Sequence, residues 1–171
     1  MKEEGLIIGI IIILIIIPTA WVIQHNLNSG MDNLKKYGVY SLENEKINNK
    51  NITIIYQIKH HIPSKVPNNI DPQSKVEITY ITWYIFNHYN YTNEVQIICY
   101  YNDSSNLKEY YKFKIDRENA KLSGILNISE EDLHLNIYHY YRKIIKLGML
   151  KIRDENLAYW RRVNYAYNNT N

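Results

Sequence analysis

Histidines are the candidate metal ligands of this sequence. They comprise the pair His60 and His61, His88 in the middle of the chain, and His134 and His139 near a predicted helix. Two histidines five residues apart do not share a helix face, and no cysteine or carboxylate stands at a recognised zinc-ligand spacing from them. The pattern favours solvated or loop histidines, and the sequence predicts no metal and no other cofactor.

Nucleophilic and acid–base catalysis have one candidate group each. Cys99 is the single cysteine, and it alternates with apolar residues, which is typical of a small buried hydrophobe rather than a reactive thiol. The acidic run 130–132 could supply a general acid or base, but its position at the start of a predicted helix explains it equally well. Glycine-rich phosphate loops and Gly-x-Ser-x-Gly motifs are absent from the sequence. No catalytic residue is predicted.

Aromatic and basic residues alternate in two segments, 138–143 and 159–162. Rings and guanidinium groups can stack on bases, on sugars or against lipid headgroups. The candidate binding residues are Tyr138, Tyr141, Arg142, Tyr159, Trp160, Arg161 and Arg162. The chain contains 17 tyrosines, so the alternative is that several of these rings pack a helix onto a sheet.

Charge and cysteine content restrict the class of protein. With 20 basic and 17 acidic residues, the net charge of +3 is far below that of a typical nucleic-acid-binding domain. Nucleic acid is therefore an unfavoured partner. One cysteine cannot form an intramolecular disulfide, so the folded part must be stable by packing alone.

An apolar segment, residues 6–23, follows a short tail of residues 1–5. Its 18 residues would form a helix about 27 Å long, enough to span a bilayer core. Pro18 falls in its last third, and Trp21 is placed where indole meets the headgroups. We predict a single-pass transmembrane anchor. The alternative is a signal peptide cleaved after Ala20, in which case the mature protein would have no anchor.

The orientation of this anchor is predicted from the residues around it. Short N-terminal tails usually stay in the cytoplasm, and residues 24–34 contain no lysine or arginine, so the C-terminal domain is expected outside the cytoplasm, at the cell surface. Five sequons favour the same orientation and would make the protein a glycoprotein, although an Asn-rich chain also forms such triplets by chance. The candidate glycosylation sites are Asn51, Asn90, Asn102, Asn127 and Asn168.

Hydrophobic periodicity predicts the organisation of the remainder. Residues 24–50 are polar and predict a stalk with a short helix around residues 31–37, and residues 51–167 predict one α+β domain. Alternating apolar residues predict an antiparallel β-meander of about four strands. These strands fall at residues 52–58, 76–86, 95–101 and 107–115.

A helical period replaces the alternation after Gly124. Ser129 is a suitable N-cap, apolar residues recur at helical spacing from Leu133 to Ile145, and Gly148 fits the end of the helix. We expect this helix to pack on one face of the sheet. The segment 149–167 can be interpreted either as a second helix or as an edge strand.

These features leave three hypotheses for function. The first is a non-enzymatic, membrane-anchored extracytoplasmic domain that binds a protein or glycan partner or assembles in the cell envelope. The second is a membrane-tethered hydrolase whose site is formed by dispersed histidines and carboxylates. The third is an inward-facing domain that binds nucleic acid through its basic tail.

Overall fold

The computed structural model describes residues 31–59, 69–103, 106–152 and 161–164. Within these residues, no helix combines the length and the apolar composition needed to cross a bilayer. The predicted anchor, residues 6–23, lies outside them. The chain divides into the units Met1–Lys36 and Tyr37–Asn171. In the first unit residues 31–35 are helical, and an exposed ion pair joins Lys35 to Asp32 at 2.7 Å.

The second unit is built on a mixed β-sheet whose strands lie side by side in chain order. The strands are β1 (Val39–Ile47), β2 (Lys50–Lys59), β3 (Glu94–Asp103), β4 (Asn106–Asp116), β5 (Met149–Ile152) and β6 (Arg161–Asn164). The pair β2–β3 is parallel and the other neighbours are antiparallel. The helices are α1 (Pro72–His88), α2 (Arg117–Ser123), α3 (Glu130–Leu135) and α4 (Ile137–Leu147). The predicted α+β class is confirmed.

The predicted antiparallel meander is wrong because residues 76–86, predicted as a strand, belong to helix α1. Asp71 caps this helix, its side chain accepting a hydrogen bond from the Ser74 amide, and Pro72 occupies the first position. Residues 77–86 are all buried. A helix enclosed on every side shows no amphipathic period, so its β-branched and aromatic residues resemble those of a buried strand.

The other predicted strands occur close to their expected positions. Residues 52–58, 95–101 and 107–115 lie within β2, β3 and β4. The sheet begins earlier than expected, since β1 occupies residues 39–47 of the segment predicted as a polar stalk. Strand β1 is polar because it lies at the edge of the sheet, where most of its residues are exposed.

The predicted helix after Ser129 is present in two pieces. Ser129 is its N-cap, and the hydroxyl accepts a hydrogen bond from the Asp132 amide at 3.0 Å. The chain breaks at Asn136 between α3 and α4, and α4 ends before Gly148. Of the two interpretations of the tail, β5 and β6 support the edge strand.

The sheet has a core face and an open face. Paired residues of neighbouring strands project from the same face, so the register assigns each residue to a side. The core face, against which the helices pack, carries Thr53, Ile55, Gln57, Val95, Ile97, Cys99, Tyr111, Phe113, Leu150 and Ile152, all buried. The open face carries Glu43, Ile54, Tyr56, Gln96, Ile98, Lys112 and Lys114.

Arg117 fastens the end of α1 to the sheet. Its guanidinium donates hydrogen bonds to three backbone carbonyls, of Thr92 at 2.7 Å, Tyr89 at 2.9 Å and Phe86 at 3.3 Å. It also lies 4.8 Å from the centroid of the Phe86 ring. The last carbonyls of a helix lack intrahelical hydrogen-bond donors, and the Arg117 guanidinium supplies them. Its positive charge also stabilises the negative end of the helix dipole.

Candidate functional site

Polar side chains gather at the carboxyl end of the parallel pair β2–β3. Lys59 is the last residue of β2, and Asp71, Ser74 and Glu77 come from the start of α1. The carboxyl ends of parallel strands and the following helix N-terminus form the usual ligand position of parallel sheets. We call the buried residues Gln57, Lys59, Asp71, Ser74, Glu77, Tyr110 and Tyr111 the polar cluster.

Lys59 is the centre of the polar cluster. Its ammonium lies 2.8 Å from a carboxylate oxygen of Glu77, 2.9 Å from the Ser74 hydroxyl and 3.9 Å from a carboxylate oxygen of Asp71. The Lys59 side chain is 5% exposed, and that of Asp71 is fully buried. The cation is therefore enclosed by two carboxylates in a site from which water is largely excluded.

Asp71 joins the start of α1 to the sheet. One carboxylate oxygen accepts the Ser74 amide at 2.9 Å, and the other accepts the Ser74 hydroxyl at 2.6 Å and the Tyr110 hydroxyl at 3.0 Å. Burial by itself would raise the pKa of Asp71. The hydrogen bonds from Ser74, the positive charge of Lys59 and the hydroxyl of Tyr110 outweigh it and hold that pKa below its ordinary value.

A bulge in β4 places Tyr110 in the cluster. The register between β3 and β4 shifts at Cys99 and Tyr100, leaving Tyr110 as the extra residue, so that Tyr110 and Tyr111 are both fully buried. Burial is the main reason why the pKa of Tyr110 is raised. Both phenols therefore remain neutral hydrogen-bond donors.

Gln57 closes the network on the side of β2. Its amide nitrogen donates to Glu77 and to the Tyr37 carbonyl, each at 2.7 Å, and its amide oxygen accepts the Tyr111 hydroxyl at 2.6 Å. Gln73 donates to the second oxygen of Glu77 at 2.8 Å. Each amide and carboxylate group of this network thus has hydrogen-bond partners within the protein.

The polar groups of the cluster are paired with one another, and this limits the reactions that they could catalyse. A serine hydroxyl beside a lysine resembles a nucleophile with its base, but the Ser74 hydroxyl points at Asp71 and Lys59 is paired with Glu77. Ser74 is also fully buried. The nearby Cys99 thiol is buried as well, and burial raises its pKa, which keeps it unreactive. The hydrogen bonds of the cluster join the start of α1 to strands β2 and β4.

The predicted binding residues are only partly assembled by the fold. On α4, the rings of Tyr138 and Tyr141 lie 5.8 Å apart in an edge contact, and Arg142 is exposed. Tyr138 is 68% exposed, and Leu135, at the end of α3, is 78% exposed. We call Leu135, Tyr138, Tyr141 and Arg142 the α4 surface. Arg161 and Arg162 belong to β6, while Tyr159 and Trp160 lie outside the described residues.

The histidines of the described residues have aromatic or surface environments. The His88 ring stacks on Tyr84 at 4.0 Å and shares a hydrogen bond with the Tyr84 carbonyl at 2.9 Å. His134 lies 3.5 Å from Glu130 on the surface of α3, and His139 is exposed. Among residues 31–59, 69–103, 106–152 and 161–164, no three metal-ligating side chains come together. His60 and His61 fall outside these ranges.

Four of the predicted glycosylation sites lie in the described structure. Asn90, Asn102 and Asn127 are exposed. Asn51 is half-buried, and its amide nitrogen donates to the Tyr91 carbonyl at 3.0 Å. A glycan on Asn51 would replace one of the two hydrogens of this nitrogen at a half-buried position, so the three exposed asparagines are the better candidate acceptors. Asn168 is outside the described part.

Comparison with known proteins identifies one curated relative. Over 121 residues, 70% of this chain and 74% of the relative, the sequence is 45% identical to the Methanocaldococcus jannaschii protein named "Uncharacterized protein MJ0415". No family model matches the chain. No solved structure matches it significantly.

Proposed function

The chain belongs to the same family as the M. jannaschii protein MJ0415, and we propose that it is a non-enzymatic, membrane-anchored domain that binds a protein partner outside the cytoplasm. In this proposal residues 6–23 form the single-pass anchor. The α4 surface is the binding site. The observation that carries the proposal is the exposure of Leu135 and Tyr138 beside Arg142.

The composition of the α4 surface supports a protein partner. Tyrosine and arginine are enriched in interface hot spots, and Tyr138 and Arg142 lie one helical turn apart on α4, with the exposed Leu135 three residues before Tyr138. Tyr140, Ile144 and Ile145 of the same helix are half-buried or buried, so α4 is anchored in the domain by one side.

Within the part of the chain that the structure describes, which excludes His60 and His61, the polar cluster gives more support to a binding role than to a hydrolase. The hydrolase hypothesis depends on histidines meeting carboxylates in a pocket. His88 instead stacks on Tyr84, and the carboxylates of Asp71 and Glu77 are engaged by Lys59, Ser74 and Gln57.

Protease protection and site-specific photocrosslinking in intact cells test this function. The full chain carries a C-terminal tag, and a benzophenone amino acid replaces either Tyr138 or Lys121, an exposed residue of α2. We expect the tag to sediment with membranes, to be digested from outside, and to show a discrete crosslinked product only from position 138. Addition of Arg142→Glu should weaken that product, since it reverses the charge of the surface.

Two outcomes would contradict the proposal. Identical crosslinks from positions 138 and 121 would show that the α4 surface has no specific partner. A tag protected in cells and digested only after lysis would place the domain in the cytoplasm and favour the nucleic-acid hypothesis, for which steep salt dependence of binding is the signature.

A further inference from the structure

The open face of the sheet carries separated charges around an apolar centre. Glu43 and Glu45 on β1 are exposed and acidic, whereas Lys112 and Lys114 on β4 are basic, with Lys112 in an ion pair with Glu109 of the same strand at 3.0 Å. The strands between them contribute half-buried apolar side chains, and Tyr40, 50% exposed, extends this group with its ring 6.1 Å from Tyr56. The apolar residues are Tyr56, Ile58, Ile98 and Tyr100.

The register arranges these residues in rows that run across the strands. One row contains Glu43, Ile54, Gln96 and Lys114. The next row contains Ser41, Tyr56, Ile98 and Lys112. Glu43 is held on this face by the Tyr56 hydroxyl, which donates to its carboxylate at 3.2 Å. Each row thus changes from acidic or neutral on β1 to basic on β4.

We propose that the open face binds a second copy of this chain, related to the first by a two-fold axis parallel to the strands. An axis between β2 and β3 places β1 of one copy over β4 of the other and β2 over β3. Because such an axis preserves position along the strands, Glu43 meets Lys114 of the second copy. By symmetry this contact forms twice.

The spacing of packed sheets suits this arrangement. Face-to-face sheets lie about 10 Å apart, a gap that a lysine and a glutamate extended toward each other can bridge. In the neighbouring row Tyr56 lies over Ile98 of the second copy, so the centre of the contact is apolar. Charge pairs at the edges around an apolar centre are the usual pattern of a specific interface.

The charges on β1 and β4 favour the axis parallel to the strands over an axis perpendicular to them. A two-fold axis perpendicular to the strands would place β1 over β1 and bring Glu43 and Glu45 against their own equivalents. The parallel axis has one unfavourable row, in which Glu45 lies opposite Asp116. The proposed contact therefore covers the rows from Tyr40 to Glu43 and ends there.

Reciprocal charge reversal in the full chain tests this proposal. Two differently tagged versions are co-expressed and purified from membranes in mild detergent, and recovery of the second tag measures association. Glu43→Lys and Lys114→Glu should each weaken association with themselves by about tenfold or more, because each creates two like-charge contacts. The mixture of the two variants, and the double variant Glu43→Lys/Lys114→Glu, should associate like the wild type.

Each result supports or overturns the proposal. The matched control is Lys46→Glu, which reverses an exposed charge of β1 on the other side of the strand and should leave association unchanged. Undiminished association of both single variants, no association of the wild type, or failure of the mixture to recover would each overturn it. The test is independent of the α4 surface, so it can fail while the proposed function stands.

Discussion

At the scale of single residues, Lys59 carries a high electrostatic cost because its ammonium is buried with two carboxylates. Removing an ammonium and two carboxylates from water costs several kcal/mol for each ion, and their attraction offsets this only with good geometry and complete hydrogen bonding. Glu77 at 2.8 Å and Ser74 at 2.9 Å provide that geometry. Burial thus makes the cluster sensitive to the loss of any one member.

Replacement of Lys59 by methionine should destabilise the protein strongly. The side chains have similar length, but Lys59→Met leaves Asp71 and Glu77 buried without their cation. We expect a loss of about 3–5 kcal/mol in the free energy of unfolding, measured by guanidinium denaturation at neutral pH. The matched control is Lys46→Met, an exposed lysine of β1, with an expected change within about 0.5 kcal/mol. Equal effects of the two variants would show that the buried ion pair contributes nothing.

Asp71 should make the stability of the protein depend on acidic pH. Its pKa is lower in the folded than in the unfolded chain, so its stabilisation is complete above the unfolded value of about 4 and is lost as the pH falls below it. Asp71→Asn keeps an N-cap acceptor but removes the charge. The unfolding free energies of wild type and variant should therefore differ at pH 7 and converge from about pH 4 downward.

A second variant separates the charge of Asp71 from its capping role. Asp71→Ala removes both, and loss of an N-cap side chain costs about 1 kcal/mol. The difference between the alanine and asparagine variants should therefore be independent of pH. If the unfolding free energies of the wild type and Asp71→Asn differ by the same amount from pH 7 down to pH 2.5, the electrostatic role of Asp71 is contradicted.

The polar cluster could be predicted only in fragments from the sequence. Asp71 followed by Pro72 and Ser74 is the signature of a helix start. Lys59 follows Ile55 and Gln57 at alternate positions of β2. Its side chain therefore lies on the same inward face and brings a charge into the core. Residues that lie up to 54 positions apart, from Gln57 to Tyr111, meet only through the parallel crossover and the β4 bulge, and neither leaves a periodic signal.

At the scale of elements, the end of α1 depends on one side chain from the start of α2. A guanidinium presents donors in several fixed directions, whereas an ammonium is a compact charge on a flexible stem. Arg117→Lys keeps the charge but cannot reach the carbonyls of Thr92, Tyr89 and Phe86 together. We expect a loss of about 1–3 kcal/mol in unfolding free energy. Arg142→Lys on α4 is the exposed control, and a similar loss there would contradict the proposed role of Arg117.

The sequence predicts a segment as helix or strand correctly where one face of that element is exposed to solvent. Residues 55–59 of β2 and 111–116 of β4 alternate between buried and more exposed positions, and Ser129 begins a helical period, so these segments carry a clear signal. Helix α1 lacks such a periodic signal because the sheet and the other helices enclose it. Its length of 17 residues and the Asp71-Pro72 start are the remaining evidence for a helix, and they outweigh its β-branched composition.

At the scale of the whole molecule, one misassigned segment changes the topology. A strand at residues 76–86 would have joined its neighbours by tight turns, whereas a helix there carries the chain back so that β2 and β3 run parallel. The crossover also creates the end of the sheet where the polar cluster forms. The predicted α+β class survives this change, but the order and direction of the strands do not follow from the class.

The parallel pair has a consequence for synthesis of the chain on the ribosome. Strands β1 and β2 form a hairpin whose turn residues, Asn48 and Asn49, both have positive φ, so this piece can fold as soon as it emerges. The partner for the other edge of β2 is separated from it by 34 residues, a delay of about 2–7 s at ordinary translation rates. During that interval Ile52, Ile54 and Ile55 lie on an uncovered strand, the kind of edge that pairs with other nascent chains. Chaperone binding to the emerging β2 would protect the newborn protein until α1 and β3 arrive.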